Sequence, residues 1–336
     1  MSTVRAELGP VATWFPPRVD LVAELPELAS CSAARRQHAL AVGVERVHNA
    51  DELSEVDLAE PAAEQALQQA GLRAAELDAL ILVQGRAPRY LLASDATLLQ
   101  ARLGASRALT LGIGELGCVS VSAAITVGAA LLRANPGYRT VLLATGSRTA
   151  TPARYRSPMT ILGDGGAAVL LTRAGHGAGR TRYELVDSEL RSEGRYADLY
   201  RIDYRDPPQA QWVEECTDEV TYSFRLAVES RKRFDELNRD VLERNGIERG
   251  DLAAVLTQNL ASGAFAFWRD ALEMEIHPAC RRNLAAYGHL GSIDILLNLE
   301  SAAPTLPAGA TVLVLNSSPV AAWSSTLLRR LPETAQ

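Results

Sequence analysis

Lysine is nearly absent: Lys232 stands alone among 34 basic residues, a bias we read as genomic base composition rather than mechanism. No basic run exceeds Arg231-Lys232-Arg233, and the formal net charge is −6. Neither nucleic acid nor an anionic membrane is therefore expected as a partner. The four cysteines, Cys31, Cys118, Cys216 and Cys280, are too scattered for a zinc site or a disulfide framework. Reduced thiols in a cytoplasm are expected. His38, His48, His176 and His277 have no companions at metal-ligand spacing, so no metal is expected and all four read as non-catalytic. No uninterrupted apolar run reaches about 20 residues, so no membrane span is predicted. The first residues hold no apolar stretch of the kind a secretory signal needs. Short-period repeats and low-complexity tracts are lacking too. What remains is 336 residues, 47% hydrophobic and 22% charged, an ordinary globular composition. That length suits two domains or one large duplicated one.

The stretch Leu109 to Ile125 organises the chain. An apolar run, Leu109 to Ile113, ends among glycines; Cys118 follows, and Val121 to Leu132 reads as a helix too apolar to be exposed. Cys118 thus stands where a buried helix begins. First-turn N–H groups lack intrahelical partners and the helix dipole is positive there, which favours thiolate over thiol and suits a nucleophile. The position equally suits a cysteine that packs as a small hydrophobe. Gly112, Gly114 and Gly117 spell G-x-G-x-x-G between strand and helix. A dinucleotide fold wants an acidic residue about 20 positions on. The window Ala134 to Ala144 has none, so nicotinamide and flavin binding are set aside.

Periodicity and punctuation predict a strand from Val4 to Trp14, short helical pieces within 20–42, and a helix at 54–70 stopped by Gly71. Strands follow at Ala79–Val83 and Thr140–Thr145, a helix at Asp95–Leu103, and a glycine turn entering a strand at 163–172. Beyond Gly175, Tyr183–Asp187 opens a strand and residues 192–216, polar and aromatic, read as a long loop. Glu214, Glu215, Asp218 and Glu219 read as a solvated helix start before one or two helices over 217–245. Leu252–Leu256 is a strand, Phe265–Met274 a helix and Ala285–Gly291 a loop. Ser292 reads as the N-cap of an apolar helix, Ile293–Ala302. Thr311–Leu315 is a strand, Asn316–Pro319 a turn, and Val320–Leu328 a closing element. Strand–helix order recurs, and each half has a helix, an acidic linker and a strand (Leu72 to Val83; Ile247 to Leu256). A duplicated α/β fold with mostly buried strands is predicted.

In this order and spacing the chain resembles the thiolase superfamily, nearest its ketoacyl-acyl carrier protein synthase III branch. The residues that carry the resemblance are Val42 to Arg46, the helix at 54–70 with its linker and strand, and Gly117-Cys118 opening an apolar helix. Leu162 to Val169 follows, and then Tyr287-Gly288 before a second apolar helix. The resemblance implies a duplicated five-layer αβαβα sandwich, normally a homodimer, with halves at residues 1–175 and 176–336. It makes Cys118 the thiol that takes an acyl group from a thioester.

Two departures redirect the chemistry. Condensing members have a histidine in a Pro-His-Gln-Ala-Asn motif, where this chain has Leu256-Thr257-Gln258-Asn259-Leu260. They have an asparagine after Tyr-Gly, where this chain has His289. That pair holds the malonyl thioester oxygen as carbon dioxide leaves, and one oxyanion donor is worth roughly 3 kcal/mol. Carbon–carbon bond formation is therefore expected to be impaired. His289 is instead a general base near neutral pH. Asp294, in the first turn of the following helix, is within reach to orient it, giving a Cys118–His289–Asp294 set. The plainer alternative makes His289 a structural substitute and Asp294 a helix-start residue. The set resembles the ketosynthase III-like acyltransferases of antibiotic biosynthesis, which esterify sugars or other scaffolds.

Further expectations come from the same resemblance. No aromatic residue occupies Ser30 to Gln37, where a tryptophan would stack on coenzyme A. The substrate is an acyl-phosphopantetheine or acyl-CoA thioester, with an acyl carrier protein the favoured donor; no bound cofactor is expected. Arg35, Arg36, Arg148 and Arg154 are candidates to meet the carrier. The oxyanion hole, normally shared by the Cys118 N–H and a glycine-rich loop, falls to Ser317 or Ser318, with Thr257 beside it. Loops 86–92 and 192–216 shape the pocket. The expected activity is transfer of an acyl group, such as an aromatic polyketide, via Cys118 to a hydroxyl or amine of a small natural-product scaffold. The alternatives are a decarboxylating or starter-loading synthase and a non-catalytic carrier-docking subunit.

Overall fold

The computed structural model describes residues 5–85, 90, 92–176, 181–205, 207–218 and 220–332. Most of loop 86–92, and Glu219, lie outside the described residues. The main strands are β1 (Ala6–Leu8), β2 (Ala12–Trp14), β3 (Ala79–Val83), β4 (Leu109–Ile113), β5 (Thr140–Ser147) and β6 (Gly165–Arg173). They continue with β7 (Tyr183–Ser192), β8 (Leu252–Thr257), β9 (Thr311–Ser318) and β10 (Ala322–Arg330). The main helices are α1 (Ala33–Ala41), α2 (Glu55–Ala70), α3 (Asp95–Leu103), α4 (Ser120–Ala134) and α5 (Leu226–Arg244), then α6 (Ser262–Leu272), α7 (Pro278–Tyr287) and α8 (Asp294–Ala302).

The ten strands form one sheet, ordered β8-β9-β10-β7-β1-β6-β5-β3-β4 with β2 beside β6. Its two ends repeat one plan. β3 lies parallel to β4 and β5, and β5 antiparallel to β6. In the second half β8 lies parallel to β9, and β9 antiparallel to β10. A lone parallel bridge, Val255 to Ile276, stands beside β8 as β4 stands beside β3. The halves meet where β1 and β7 pair antiparallel, Ala6 opposite Leu185 and Leu8 opposite Tyr183.

Three apolar clusters fill the spaces between five layers. The central one joins Val121, Ile125 and Leu132 of α4 to Ile295, Leu296 and Leu299 of α8, between the two halves of the sheet. The second lies between α2, α3 and the first half; the third lies between α5, α6 and the second half. Side chains alternate across a strand, so each strand feeds two clusters. Ala79, Ile81 and Val83 face the centre while Leu80 and Leu82 face outward. This is why the strands read as unbroken apolar runs. The stretch Gly117–Ala134, long and apolar enough by composition to cross a membrane, is the buried core segment that contains α4.

Close helix–sheet approach explains several glycines. Gly146 and Gly166 are cross-strand partners beneath α2. A Cβ on Gly146 would lie 1.9 Å from the Glu55 carbonyl oxygen, and one on Gly166 1.8 Å from that of Leu58. The alanines of α2 (Ala59, Ala62, Ala63 and Ala66) allow the same approach from the other side. α2 is fixed at its start by a reciprocal Ser54–Asp57 capping box and ends at Gly71, left-handed at φ 64°.

Some expected elements differ. Val4–Trp14 divides into β1 and β2. Residues 192–216 contain a short hairpin, Tyr200–Ile202 with Glu214–Cys216. Ala285–Tyr287 belongs to α7, which the apolar-periodicity reading missed because the helix is short and carries Arg281 and Arg282. Ser292 does not cap α8; it sits within a 3₁₀ turn, Gly291–Ile293, and the helix begins at Asp294.

Replacing Gly166 with alanine should cost at least about 2 kcal/mol in urea-unfolding stability, because the helix must lift off the sheet. Gly137, with nothing within 4 Å of an added Cβ, is the control; its alanine variant should change stability by less than about 0.5 kcal/mol.

Candidate active site

Cys118 sits in a single 3₁₀ turn, Gly117–Val119, that leads directly into α4. Gly117 has φ 54°, and an added Cβ there would come within 3.0 Å of the Ser318 Cβ. Both facts favour glycine at this position. The Cys118 carbonyl accepts a hydrogen bond from Asn316 Nδ2 at 2.8 Å, tying the turn to β9.

His289 arrives from the other half. Gly288 (φ 70°) turns the chain after α7. The His289 N–H then donates to Ile161 O (2.9 Å), and Gly163 N–H donates to His289 O (3.0 Å). The glycine-aspartate-glycine turn therefore clamps the histidine backbone. An added Cβ on Gly163 would fall 2.1 Å from Tyr287 O. Asp164 locks the turn by accepting from Ala50 N, Thr149 N and the Arg154 guanidinium at 2.8–2.9 Å.

The three candidate residues form a line. Cys118 Sγ lies 3.3 Å from His289 Nε2, and His289 Nδ1 lies 2.6 Å from Asp294 Oδ2. All three are buried. An ionised carboxylate only accepts, so Nδ1–H donates to Asp294 and Nε2 faces the sulfur. Asp294 also accepts from Leu290 N–H at Oδ1 (2.9 Å) and from Asn259 N–H at Oδ2 (2.8 Å). Burial alone pushes the His289 imidazole toward its neutral form. The Asp294 carboxylate, and after it the Cys118 sulfur, outweigh burial and raise its pKa to about 10. Both neighbours thus favour the imidazolium over the neutral ring.

Two expected residues are placed otherwise. The Thr257 hydroxyl donates to the Gln258 carbonyl (3.2 Å), so its proton is not aimed at the thiol. The Ser317 N–H is taken by Gln258 Oε1 (2.7 Å), and its hydroxyl and carbonyl both accept from Gln258 Nε2 (2.6 and 2.9 Å), so its backbone donor is engaged away from the thiol. Ser318 is the better candidate, since it abuts Gly117 and its buried hydroxyl has no hydrogen-bond partner among the described residues. The arginines also divide. Arg154 is internal, spent on Asp164 and Leu162 O, and cannot meet a carrier. Arg148 donates to Leu53 O, whereas Arg35 and Arg36 are exposed on α1. His48 stacks on Phe15 and Tyr287, and His277 caps α7.

Sequence reading missed Asn298, one turn along α8 from Asp294. Its Nδ2 donates to Thr257 O and Asn259 Oδ1, both at 2.8 Å, and its Oδ1 accepts from Asn283 Nδ2 at 2.8 Å. It holds the loop whose Asn259 N–H reaches Asp294. An asparagine four residues after an aspartate, inside so apolar a helix, was the available signal.

A family model described as 3-oxoacyl-[acyl-carrier-protein] synthase III matches residues 115–194. Curated proteins named beta-ketoacyl-[acyl-carrier-protein] synthase III are similar: that of Ruegeria pomeroyi is 34% identical over 48% of this chain, that of Cereibacter sphaeroides 31% over 60%. The chain spans 50% and 62% of those relatives' lengths. Among solved structures, 3-oxoacyl-(acyl carrier protein) synthase III from Pseudomonas aeruginosa superposes with a TM-score of 0.80, covering 98% of this chain and 100% of that one at 22% identity. The acyltransferase ChlB3 gives 0.79, covering 97% and 98% at 22% identity. A single-residue variant of OleA from Xanthomonas campestris gives 0.79, covering 98% and 99% at 18% identity. The solved structures show a shared fold, and over part of its length the sequence is similar to 3-oxoacyl-[acyl-carrier-protein] synthase III.

The raised His289 pKa has a consequence for stability. The fold binds this proton more tightly than the unfolded chain, whose imidazole titrates near 6.5. The stabilisation is therefore complete below about pH 6.5 and is lost as pH rises through about 10. Urea midpoints should fall across that alkaline window. D294N, which removes the charge and keeps the shape, should flatten the fall; an unchanged slope would place the titration on another group.

Proposed function

We propose that this protein is an acyltransferase that carries an acyl group on Cys118 and passes it to a hydroxyl or amine of a small-molecule acceptor. The observation that carries this reading is the buried Cys118–His289–Asp294 line, in which a histidine with an orienting carboxylate lies against the thiol. The Cys118 sulfur, as thiolate, attacks the donor thioester carbonyl. The departing phosphopantetheine sulfur takes the proton held on His289 Nε2. That leaves an acyl-cysteine beside a neutral imidazole, and the sulfur no longer carries the charge that helped hold the proton. The acceptor hydroxyl gives its proton to Nε2 as its oxygen attacks the acyl carbon. Collapse of the tetrahedral intermediate expels the Cys118 thiolate and restores the starting pair. The proton count closes without any external acid. The Cys118 N–H and the Ser318 hydroxyl are the donors proposed for the oxyanion in both halves of the cycle.

Decarboxylative condensation asks for something else, two donors on the enolate oxygen of an extender thioester. Thr257 gives its proton to a backbone carbonyl and His289 is engaged by Cys118, so the set favours proton removal from an acceptor. The donor in this proposal is an acyl carrier protein, in keeping with the relatives' names. The acceptor is a natural-product scaffold, as expected of antibiotic biosynthesis. We also propose a homodimer. β4 pairs with β3 on one side only among the described residues, and Leu109 on β4 is 44% exposed. A second copy would continue the sheet across that edge. Four free thiols fit a reducing cytoplasm.

Incubation with acyl carrier thioesters should add one acyl mass at Cys118, and addition of malonyl carrier protein should yield no ketoacyl product. Formation of ketoacyl product would replace this reading with a condensing enzyme. Failure of every thioester to load would make the chain a docking subunit. H289N should still load, more slowly, and lose roughly 10²- to 10⁴-fold in transfer rate. Light scattering after gel filtration should give a dimer mass that L109R reduces to a monomer.

A further inference from the structure

The hairpin at 200–216 holds neither Cys118 nor His289, yet it supplies one side of a cleft of about 660 Å³. Tyr200, Trp212 and Glu214 come from this segment, and Tyr155, Arg156 and Tyr222 from elsewhere in the chain. Glu214, expected as part of a solvated helix start, is instead drawn into the cleft lining. Arg156 Nε donates to Glu214 Oε2 (2.8 Å) and Nη2 to Oε1 (2.5 Å). The Tyr200 hydroxyl donates to the same Oε2 (3.1 Å). The guanidinium carbon lies 5.5 Å from the centre of the Tyr200 ring, which stacks on Tyr222 at 5.1 Å. The two charged side chains are only 17% and 11% exposed. Burial raises the Glu214 carboxyl pKa, but Arg156 outweighs it and Tyr200 and the His289 charge add to the lowering. Backbone pairing ties the cleft to the histidine: Tyr155 and Arg156 lie opposite Ile161 and Thr160, and Ile161 O accepts from His289 N–H.

Burying an ion pair costs desolvation that mutual attraction repays only in part, and no strand pairing in the main sheet depends on this one. Its chemistry suits recognition. The two charges cancel each other, so a charged ligand group set against the pair finds no net counter-charge there to repay its lost hydration. Hydrogen-bonding capacity remains: a guanidinium has five N–H groups and a carboxylate about four acceptor sites, and only part of each is used here. The half-buried Trp212 ring offers a flat apolar face beside this polar edge. Arg35, the one other charge in the lining, is exposed and 5.7 Å from the Tyr155 ring centre, so its charge is met by water rather than held for a ligand.

We propose that this cleft is the acceptor subsite, and that Arg156, Glu214 and Tyr200 select an uncharged, polyhydroxylated ring. Its role rests on the acyl-transfer reading, whereas binding can be measured without any acyl donor. Full-length protein is titrated calorimetrically with three hydroxylated six-membered rings: myo-inositol (neutral), quinate (anionic) and scyllo-inosamine (cationic). Inositol should bind at least roughly tenfold more tightly than either charged ring, and E214Q should weaken it by about tenfold, one hydrogen-bonded partner's worth. Since E214Q strands a buried guanidinium, Y200F, which removes one hydroxyl and keeps the ring, is the second variant and should weaken binding in the same direction. Equal or tighter binding of quinate or inosamine overturns the proposal, as does unchanged inositol affinity in both variants or no binding of any ring. If inositol binds as expected but no thioester ever loads Cys118, the acyl-transfer reading fails and the subsite stands.

Discussion

The structure turns on one buried carboxylate. Asp294 accepts the imidazole N–H of His289, the backbone N–H of Leu290 and that of Asn259. Those groups belong to the turn before α8 and the loop after β8. A carboxylate taken fully out of water costs several kcal/mol unless hydrogen bonds and a counter-charge replace its solvation. Here three donors do so, one of them cationic. The same contacts that make the charge tolerable fix the imidazole plane, so stability and catalytic geometry cannot be varied separately at this residue.

The rest of the fold brings that point to Cys118. Two similar halves are joined edge to edge through β1 and β7, and their central helices, α4 and α8, lie in one core. Each helix starts at the site, Cys118 just before one and Asp294 at the first residue of the other. The layers can close this tightly because Gly146 and Gly166 leave no side chain beneath α2, and Gly163 leaves none beneath Tyr287. The glycine-aspartate-glycine turn thus acts as packing hardware that sets the height of His289 over the thiol.

Much of this was legible from the chain because it rests on local chemistry. Buried strands declare themselves as apolar runs, α2 by its cap and its stop, and Cys118 by a helix start among glycines. His289 and Asp294 were readable because they are five residues apart and differ from the resemblance at a known place. What was hidden depends on long-range hydrogen bonds. Nothing near Ser317 shows that Gln258, 59 positions away, takes its N–H, and so the neighbouring Ser318 is the free hydroxyl. Nothing near Arg154 shows that Asp164 consumes its charge. The segment 192–216 read as a loop because a three-residue hairpin is shorter than any period can reveal, and its Arg156–Glu214 pair joins residues 58 positions apart.

In the proposed cycle, a base beside an acyl-cysteine raises a problem that burial would address. An imidazole able to deprotonate an alcohol can equally deprotonate water, and the acyl group would then be lost to hydrolysis. Selectivity cannot come from the histidine, because an imidazole held by Asp294 takes a proton from water or from an alcohol alike. It must come from which molecule occupies the space before Nε2. Cys118 and His289 are 7% and 2% exposed, so few waters fit there without an acceptor. An acceptor that replaces those waters excludes the competing nucleophile in the act of binding. On the proposed reading the polar pair in the cleft and the Cys118–His289–Asp294 line would form one device: the pair would decide what fills the site, and only a filled site would give the imidazole an oxygen or nitrogen to activate in place of water.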